Sequence, residues 1–460
     1  MNQFNQKFIY FICLVSAMGG LLFGYDWVVI GGAKPFYELF FDISNDPGMQ
    51  GWAMSSAILG CLIGAVSSGM LADRFGRKPL LIVAAVIFLA SAIGTGAFNN
   101  FSLFIVARLV GGIAIGIASA LSPMYIAEVA PAHVRGKLVT LNQMTIVFGI
   151  LGAQIVNRLL AEPIPEGMTD AEMMASWNVQ MGWRWMFWAE AIPAALFLLL
   201  TFVIPESPRW LTMVGRTEKA FAVFSKIGGN DYASESISSI RSAEKKEENA
   251  GLATLFTRHY KLVLTLGIVI AVFQQWCGTN VIFNYAQEIF SAAGYPLGDM
   301  LFNIVVTGIA NVVFTFVALF TVEKLGRRKL MLIGALGLAL IYLTLGTCYF
   351  FQVSGVMMIV CVVAAIACYA MTLGPITWVL LSELFPNNVR AIAMAVCTFA
   401  LWTGCFTLTY SFPILNAWLG SYGTFWLYAG ICLAGYLFFL RTLPETKGKS
   451  LEELEKELVK

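Results

Sequence analysis

Residues 69–79 read Gly-Met-Leu-Ala-Asp-Arg-Phe-Gly-Arg-Lys-Pro, a charged stretch with two glycines that separates two long apolar runs. A similar stretch returns at residues 323–329, where an acidic residue is again followed by glycine and arginine. Two further similarities follow in the same order: residues 128–135 resemble residues 383–390, and residues 205–208 resemble residues 444–446. Repeats in a constant order at nearly constant spacing indicate that the chain consists of two related halves.

The composition excludes a soluble protein. Of the 460 residues, 58% are hydrophobic and only 12% are charged, and the mean hydropathy is +0.76. The formal net charge is +2, and the basic residues lie at the ends of apolar runs, so we expect no nucleic-acid partner. The nine cysteines lie in or beside apolar runs without metal-ligand spacing to histidine, which predicts packing residues and no metal site.

The apolar runs are long enough to cross a bilayer as helices. They do not show the short alternating segments of a transmembrane β-barrel. We therefore predict an all-α membrane protein in two pseudo-symmetric six-helix halves, with twelve spans at residues 8–33, 51–72, 79–98, 101–127, 138–160, 184–203, 260–290, 300–322, 330–351, 354–382, 391–416 and 422–441.

The distribution of Lys and Arg predicts the orientation, because such residues accumulate in cytoplasmic loops. With a cytoplasmic N-terminus, 25 of the 29 Lys and Arg residues fall on the inner side, and the remaining four are Lys34, Arg108, Arg158 and Arg184. Both termini are therefore predicted to be cytoplasmic. The predicted domains are an N-terminal half at 1–203, a cytoplasmic linker with short helices at 204–259, a C-terminal half at 260–441 and a cytoplasmic tail helix at 442–460.

The linker separates the halves, and its sequence favours two polar helices, at residues 216–227 and 234–248, with a break at residues 228–231. One interpretation is a simple tether between the halves. The other is a cytoplasmic latch that packs under the helices. The linker sequence alone leaves both open.

Ionisable residues inside a membrane span are costly and usually mark functional sites, and three of those in the predicted spans stand out. Asp26, Arg108 and Glu190 are each placed about 10 Å from the outer surface by their distance from the span ends. This shared depth allows them to pair. A static buried ion pair is one interpretation, and a proton-coupling site, in which protonation of Asp26 frees Arg108, is the other. The predicted spans contain no histidine, so a carboxylate is the only evident proton carrier.

A second group of intramembrane residues is neutral and polar. Carboxamides donate and accept hydrogen bonds, which suits a ligand rich in hydroxyl groups, and tryptophan rings suit the apolar face of a sugar. The group consists of Asn142, Gln143, Gln274, Gln275, Asn280, Asn284, Asn311, Trp378 and Trp402. The Gly374-Pro375 pair predicts a broken span 10, and broken helices mark transporter binding sites.

Acidic and basic residues alternate at the predicted cytoplasmic loops in matched positions of both halves. We predict that they form ion pairs when the cytoplasmic side is closed, acting as a network because single exposed pairs are weak. The predicted pairs are Asp73 with Arg74 and Arg77, Glu128 with Arg135, Glu206 with Arg209, Glu323 with Arg327, and Glu383 with Arg390.

Several motifs resemble those of the sugar porter family of the major facilitator superfamily, in order and across essentially every span. They lie at residues 69–78, 205–210, 274–280, 374–378 and 444–448, and residues 122–133 are especially similar to the bacterial D-xylose/proton symporters of that family. The resemblance implies alternating access of two six-helix halves in a bacterial inner membrane. It also favours the latch interpretation of the linker.

The resemblance implies a set of site residues. It assigns sugar contacts to Gln143, Gln274, Gln275, Asn280, Asn311, Trp378 and Trp402, with Phe23 and Ile146 as apolar walls. It assigns proton coupling to Asp26, with Arg108 as its partner and Glu190 as an accessory acid. The chain departs from the xylose symporters at Ile150, Leu401 and Asn284, which puts the identity of the sugar in question.

The resulting hypothesis is a proton-coupled symporter of a neutral monosaccharide, with D-xylose first and glucose or another hexose next. Its expected partners are the sugar, protons and the lipid bilayer, and we expect a monomer with no cofactor other than the coupling proton. A passive facilitator and a transporter-like sugar sensor remain alternatives. No catalytic nucleophile with a base, metal cluster or phosphate loop is evident, which disfavours an enzyme.

Overall fold

The structure is a computed structural model that describes residues 4–165, 168–244, 255–353, 355–386 and 389–447. These residues are almost entirely helical and contain no strand. In chain order the helices are α1 Gln6–Phe40, α2 Pro47–Phe75, α3 Arg77–Ala97, α4 Phe101–Val129, α5 Ala132–Leu160, α6 Asp170–Ala175, α7 Trp183–Trp188, α8 Ala191–Val203, α9 Pro208–Met213, α10 Thr217–Glu244, α11 Arg258–Trp276, α12 Thr279–Asn284, α13 Ala286–Ala292, α14 Leu297–Leu325, α15 Arg327–Phe350, α16 Val356–Met371, α17 Leu373–Leu384 and α18 Arg390–Thr442.

Eleven helical stretches in the described part are long and apolar enough to cross a membrane. The last of them runs for 51 residues but contains Gly420, whose φ of 67° interrupts the helix. A helix of that length would greatly exceed the thickness of a bilayer, so the break at Gly420 divides it into two spans. This gives the twelve spans that the sequence predicts, and the chain is a multi-pass membrane protein. "Inner" and "outer" below refer to the predicted topology.

The helices group into two compact units. Unit 1 comprises Met1–Trp27, Leu59–Ala153 and Arg184–Glu248. Within it, α3 packs against α4 and α8, and the side chain of Asn100 caps the first turn of α4 by accepting from the backbone N–H groups of Ser102 and Leu103. Gly24 lets α1 approach α5 closely, because a Cβ there would lie 1.9 Å from the carbonyl oxygen of Ile146.

Unit 2 comprises Val28–Ile58, Gln154–Trp183 and Asn249–Lys460. In it, α18 packs against α11 and α15, and α14 packs against α16. The outer parts of α1, α2 and α5 belong to this unit with the helices of the C-terminal half. The boundaries at residues 203 and 260, predicted from the internal repeat, stay a prediction.

Three of the predicted spans are broken into shorter helices, among them span 6, which is divided into α7 and α8 at residues 189–190. Span 10 is divided between α16 and α17 at Thr372, where φ is −125° and ψ is −87°, so the break predicted from Gly374-Pro375 is confirmed. Span 7 is divided into α11, α12 and α13, with left-handed Gly278 (φ 86°) before α12. The sequence predicted only the bounds of this span, 260–290, and not its break, which arises because Gly278 takes up a left-handed backbone that interrupts the helix.

The linker is packed within unit 1. Its break lies at Gly229, where φ is 86°, within the predicted stretch, and α10 continues on both sides of it. The helix α9 contacts α4 as well as α10, the Trp210 indole donates to the carbonyl of Asp73 at 2.9 Å, and the backbone N–H of Asn5 donates to Ile227. These contacts pack the linker against the helices of unit 1, and its role as a latch stays a prediction. Residues 245–254 and 448–460, which include the predicted tail helix, lie outside the described part.

Candidate functional site

A buried charged pair lies in unit 1. The Nη1 group of Arg108 on α4 donates to Oδ1 of Asp26 on α1, and Nη2 lies 3.4 Å from the Asp26 carbonyl oxygen. Both side chains are almost completely buried, Arg108 at 2% and Asp26 at 4% exposure. The ring of Phe187 lies 5.5 Å from the guanidinium carbon of Arg108 and adds a cation–π contact. The predicted pairing of Asp26 with Arg108 is therefore confirmed.

Glu190 lies near this pair, in the turn between α7 and α8. It is 2% exposed and interacts electrostatically with Asp26 and Arg108. Its Oε1 atom and Oδ2 of Asp26 have no hydrogen-bond partner among the described residues. Two carboxylates and one guanidinium in a water-poor environment form a group whose charge is not balanced when both acids are ionised. Such a group is suited to take up a proton.

The first span is longer than the sequence predicts. Span 1 was predicted to end at residue 33, but α1 continues through Pro35 to Phe40. Proline can be accommodated here because its missing N–H and its ring disturb only one turn of a long helix that neighbouring helices support. Asp26 is therefore farther from the end of its helix than predicted, although its partner was correctly identified.

Unit 2 contains a chain of neutral hydrogen bonds at the break in span 7. The Gln274 amide donates to the hydroxyl of Tyr369 at 2.8 Å, and the Gln275 amide donates to Oε1 of Gln274. The Asn280 amide in turn donates to Oε1 of Gln275 and lies 3.8 Å from Sγ of Cys405. Amide assignments follow from this network. The structure thus joins three of the predicted sugar contacts in one polar chain, hereafter the amide chain.

The other predicted contacts divide between the units. Asn311 and Trp402, each 6% exposed, and Trp378, at 41%, belong to unit 2. Gln143, which is exposed, and the partly exposed Phe23 and Ile146 belong to unit 1, where Phe23 makes a T-shaped contact with Trp27. Ile150, Leu401 and Asn284, the positions that depart from the xylose symporters, are all buried. Their roles in sugar binding stay predictions.

Tyr369 and Cys405 were not among the residues predicted from the sequence. Tyr369 lies on α16 shortly before the break at Thr372, and its hydroxyl accepts from Gln274. Because broken helices gather polar groups around the free backbone, a tyrosine beside a predicted break was a usable signal. Cys405 lies one helical turn after Trp402 on α18, and its thiol had no feature in the sequence that set it apart from the packing cysteines.

An inner ionic cluster lies at the opening motif in unit 1. The Arg77 guanidinium contacts both Glu128, at 2.9 Å, and Asp73, at 3.1 Å. Glu206 accepts from the backbone N–H groups of Arg77 (3.0 Å) and Lys78 (3.1 Å) at the start of α3, where its charge also complements the helix dipole. Burial raises the pKa of Glu206, and the hydrogen bonds from the backbone oppose that rise.

Unit 2 repeats this arrangement. Arg327 pairs with Glu383 at 3.0 Å, and Glu445 accepts from the backbone N–H groups of Arg327 (2.9 Å) and Arg328 (3.2 Å). Thr446 donates to Glu383 as Ser207 donates to Glu128 in unit 1. Arg77, Lys78, Glu128, Glu206 and Ser207 each have a corresponding member in unit 2, which supports the duplication that the sequence indicates. The side chain of Glu323 lies outside the described part.

Several predicted pairings in these clusters are wrong. Glu128 and Glu383 pair with Arg77 and Arg327, not with Arg135 and Arg390. Arg135 and Arg209 are exposed, Arg74 lies over the ring of Phe75, and Arg390 donates to the carbonyl of Phe385. Glu206 caps α3 instead of pairing with Arg209. The sequence predictions joined residues near in sequence, but the acids meet the arginine at the start of the neighbouring span. The role of these residues in gating stays a prediction.

The comparisons with known proteins agree with this architecture. The model of the family described as "Sugar (and other) transporter" matches residues 12–458. The chain is 38% identical to the D-xylose-proton symporter of Escherichia coli K12, over 99% of this chain and 96% of that protein. It is 37% identical to the arabinose-proton symporter of Bacillus subtilis 168, over 99% and 96%. It is 35% identical to a glucose transport protein of Synechocystis, over 98% and 97%.

The fold matches a solved transporter as well. Superposition on the inward-open conformation of the xylose transporter XylE from E. coli gives a TM-score of 0.86 at 37% identity, covering 98% of this chain and all of that chain. This chain belongs to the sugar transporter family of the major facilitator superfamily. It is a membrane transporter and not an enzyme.

Proposed function

We propose that this protein carries a neutral monosaccharide into the cell together with a proton, by alternating access. The observation that supports this most directly is the buried pair of Asp26 and Arg108 inside a member of a sugar transporter family. A passive carrier has no need of an ionisable acid within the membrane, where such a group is costly. The proton is the only coupling ion the proposal requires, and no other cofactor enters it.

In the proposed cycle, Asp26 alternates between an ionised form paired with Arg108 and a protonated form. Protonation removes the charge that holds α1 to α4 at this point, which changes the relative stability of the conformations that open to either side. Glu190 acts as an accessory acid that tunes how readily Asp26 takes up the proton. The inner clusters act as the cytoplasmic gate, since their ion pairs join the ends of neighbouring spans.

The amide chain is proposed to bind the sugar. Gln274, Gln275 and Asn280 can each donate and accept, so they can exchange their mutual hydrogen bonds for bonds to sugar hydroxyl groups. Because all three are neutral, they favour a neutral substrate over a sugar phosphate. Trp378 and Trp402 supply aromatic faces in the same unit, and Gln143, Asn311, Phe23 and Ile146 complete the proposed set.

D-Xylose is the first substrate we propose, with glucose or another hexose next. The support for xylose is the 38% identity to a relative named for it, and relatives named for arabinose and glucose have similar identities. The orientation proposed from the distribution of Lys and Arg places both termini in the cytoplasm of a bacterial inner membrane, and we propose that the monomer is the functional form.

The proposal is tested in cells and in proteoliposomes. Uptake of radiolabelled D-xylose is measured with excess unlabelled arabinose, glucose and other monosaccharides as competitors, and external pH is recorded when sugar is added to energy-starved cells. The expected result is saturable uptake, strongest competition by xylose itself, and alkalinisation of the medium. Uptake without alkalinisation would identify a passive facilitator. Sugar binding without counterflow in proteoliposomes would identify a sensor.

A further inference from the structure

The continuation of α1 beyond its predicted end creates a second buried charged cluster. Lys34 is 1% exposed, and its Nζ lies 2.6 Å from Oε1 of Glu38 and in contact with Oε1 of Glu288. The ring of Tyr285 lies 5.6 Å from the ammonium. Glu38 belongs to α1, like Lys34, whereas Glu288 belongs to α13. We call Lys34, Glu38 and Glu288 the outer clasp. All three residues lie in unit 2.

The backbone of α1 makes close contacts beside the clasp. A Cβ on Gly31 would lie 3.0 Å from the carbonyl oxygen of Asn284, at the end of α12. A Cβ on Gly32 would lie 2.2 Å from the side-chain nitrogen of Asn157 on α5, which donates to the carbonyl of Val29. The two glycines therefore allow the outer part of α1 to fit tightly against α5 and α12.

The outer part of α2 makes a similar contact with α18. A Cβ on Gly51 would lie 2.4 Å from the carbonyl oxygen of Tyr410, and the rings of Trp52 and Phe406 meet in a T-shaped arrangement. Helices from the first and last parts of the chain are thus in backbone contact at the outer side. The clasp adds an ionic contact, between Lys34 on α1 and Glu288 on α13, to these backbone and aromatic contacts.

The segment that carries Glu288 is bounded by irregular backbone on both sides. The helix α13 has only seven residues; Tyr285 before it has φ −120° and ψ 23°, and Gly294 after it has φ 84°. Farther back, left-handed Gly278 separates α12 from α11. Such positions absorb the dihedral changes of hinge motions, so α12 and α13 can move relative to α11.

The charges of the clasp are unequal. One ammonium faces two carboxylates, and Oε2 of Glu288 is buried without a hydrogen-bond partner among the described residues. A buried ion pair is stabilising only when its charges and hydrogen bonds are satisfied. The excess carboxylate makes the closed contact weaker than a one-to-one pair would be, and a weaker contact can be opened in every transport cycle.

We propose that the outer clasp is a gate that keeps the outer side of the transporter closed until α13 moves away from α1 to admit sugar. This inference rests on the proposed transport function. The two acids of the clasp have opposite effects on the contact between α1 and α13. Glu288 holds α13 to α1 through Lys34, whereas Glu38 lies on the same helix as Lys34 and competes with Glu288 for the ammonium.

The test measures exposure of the gate from outside. The nine native cysteines are replaced, Gln287 beside the clasp is changed to cysteine, and labelling of intact cells by a membrane-impermeant maleimide is timed without sugar. Lys34→Met and Glu288→Gln, which remove the ionic contact, should label about tenfold faster. Glu38→Gln should label more slowly than the parent. The double variant Lys34→Glu with Glu288→Lys restores the contact and should return to near the parental rate.

Arg158→Met is the matched control, because Arg158 is an exposed cation at the predicted outer end of α5, and it should label at the parental rate. The proposal that the clasp is a gate would be overturned if Lys34→Met and Glu288→Gln labelled at the parental rate. It would also be overturned if the double variant labelled as fast as the two single variants. Labelling requires no sugar flux, so a failure of the proposed function appears separately, as absence of counterflow in the parent. Labelling rates are compared at equal amounts of transporter in the cell membrane.

Discussion

The charged pair of unit 1 and the amide chain of unit 2 both consist of buried polar side chains beside irregular or crossing helices, yet their chemistry differs. Asp26 and Arg108 carry charges that are almost fully removed from water, and their neighbour Glu190 adds a second acid. Gln274, Gln275 and Asn280 are neutral and satisfy one another. In the proposed function the first group takes up the coupling proton, and the second binds the hydroxyl groups of the sugar.

This difference indicates a division of labour along the chain. A buried charge has a large free-energy cost unless it is paired, so its protonation can shift a conformational equilibrium. An amide contributes on the order of 1 kcal/mol for each hydrogen bond and changes little with pH in the physiological range. Variants of the charged pair should therefore change coupling with little effect on sugar affinity, and variants of the amide chain should do the reverse.

Replacing Asp26 by Asn is expected to have the largest effect, because it removes the proposed proton carrier. One proton moving down 100 mV yields about 2.3 kcal/mol, which corresponds to an accumulation of about 50-fold. The variant should lose this accumulation completely and equilibrate sugar across the membrane. Counterflow in proteoliposomes, which needs no net proton movement, should persist. The measurement is the internal-to-external sugar ratio in energised vesicles.

The matched control is Asp42→Asn, which neutralises an exposed carboxylate just after the end of α1. Its accumulation ratio should equal that of the wild type. Concentrative uptake by Asp26→Asn would assign the proton to another group. Loss of counterflow in a well-folded Asp26→Asn protein would show that the charged pair is also needed for sugar translocation, which contradicts the separate roles of the charged pair and the amide chain.

Gln275→Ala is expected to have the next largest effect. Gln275 lies in the middle of the amide chain, donating to Gln274 and accepting from Asn280, so the change removes a sugar contact and leaves two neighbours unpaired. We expect the dissociation constant for the sugar to rise about tenfold. The accumulation ratio at saturating sugar should stay as in the wild type. Titration calorimetry measures the sugar affinity, and Gln50→Ala serves as the control that should bind like the wild type. A wild-type affinity in Gln275→Ala would contradict the prediction.

Tyr369→Phe tests the residue that only the structure reveals. The change removes one neutral hydroxyl that accepts from Gln274 and keeps the ring, so the position of Gln274 becomes less defined. We expect the sugar affinity to fall about threefold, corresponding to one weak hydrogen bond. Tyr10→Phe, at an exposed tyrosine on α1, serves as the control. A variant with wild-type affinity would remove Tyr369 from the binding site.

The features that follow from composition and from strong physical penalties were the most predictable. The twelve spans follow from apolar runs whose length a bilayer dictates, and the Gly-Pro pair in span 10 marked a real break. The pairing of Asp26 with Arg108 was predictable because a buried charge needs a partner and few were available. Such inferences depend on composition and strong physical penalties, which do not require knowledge of the packing.

Features decided by packing were not predictable. Glu128 meets Arg77 and not Arg135, because the start of α3 presents the arginine to the end of α4. Lys34 was assigned to a loop, since nothing in the run from Ala33 to Phe40 shows that Glu288 on a distant segment satisfies its charge. The break at Gly278 depends on a left-handed backbone that glycine permits but does not require.

Cys405→Ser is the smallest change and tests where the amide chain ends. The thiol of Cys405 lies 3.8 Å from the Asn280 amide, and sulfur is a weak acceptor, so little of the free energy that orients Asn280 comes from this contact. A serine oxygen is a better acceptor but sits on a shorter bond, which offsets its advantage. The sugar affinity should therefore stay within about twofold of the wild type. A tenfold loss, measured by the same calorimetric titration, would extend the binding site to α18.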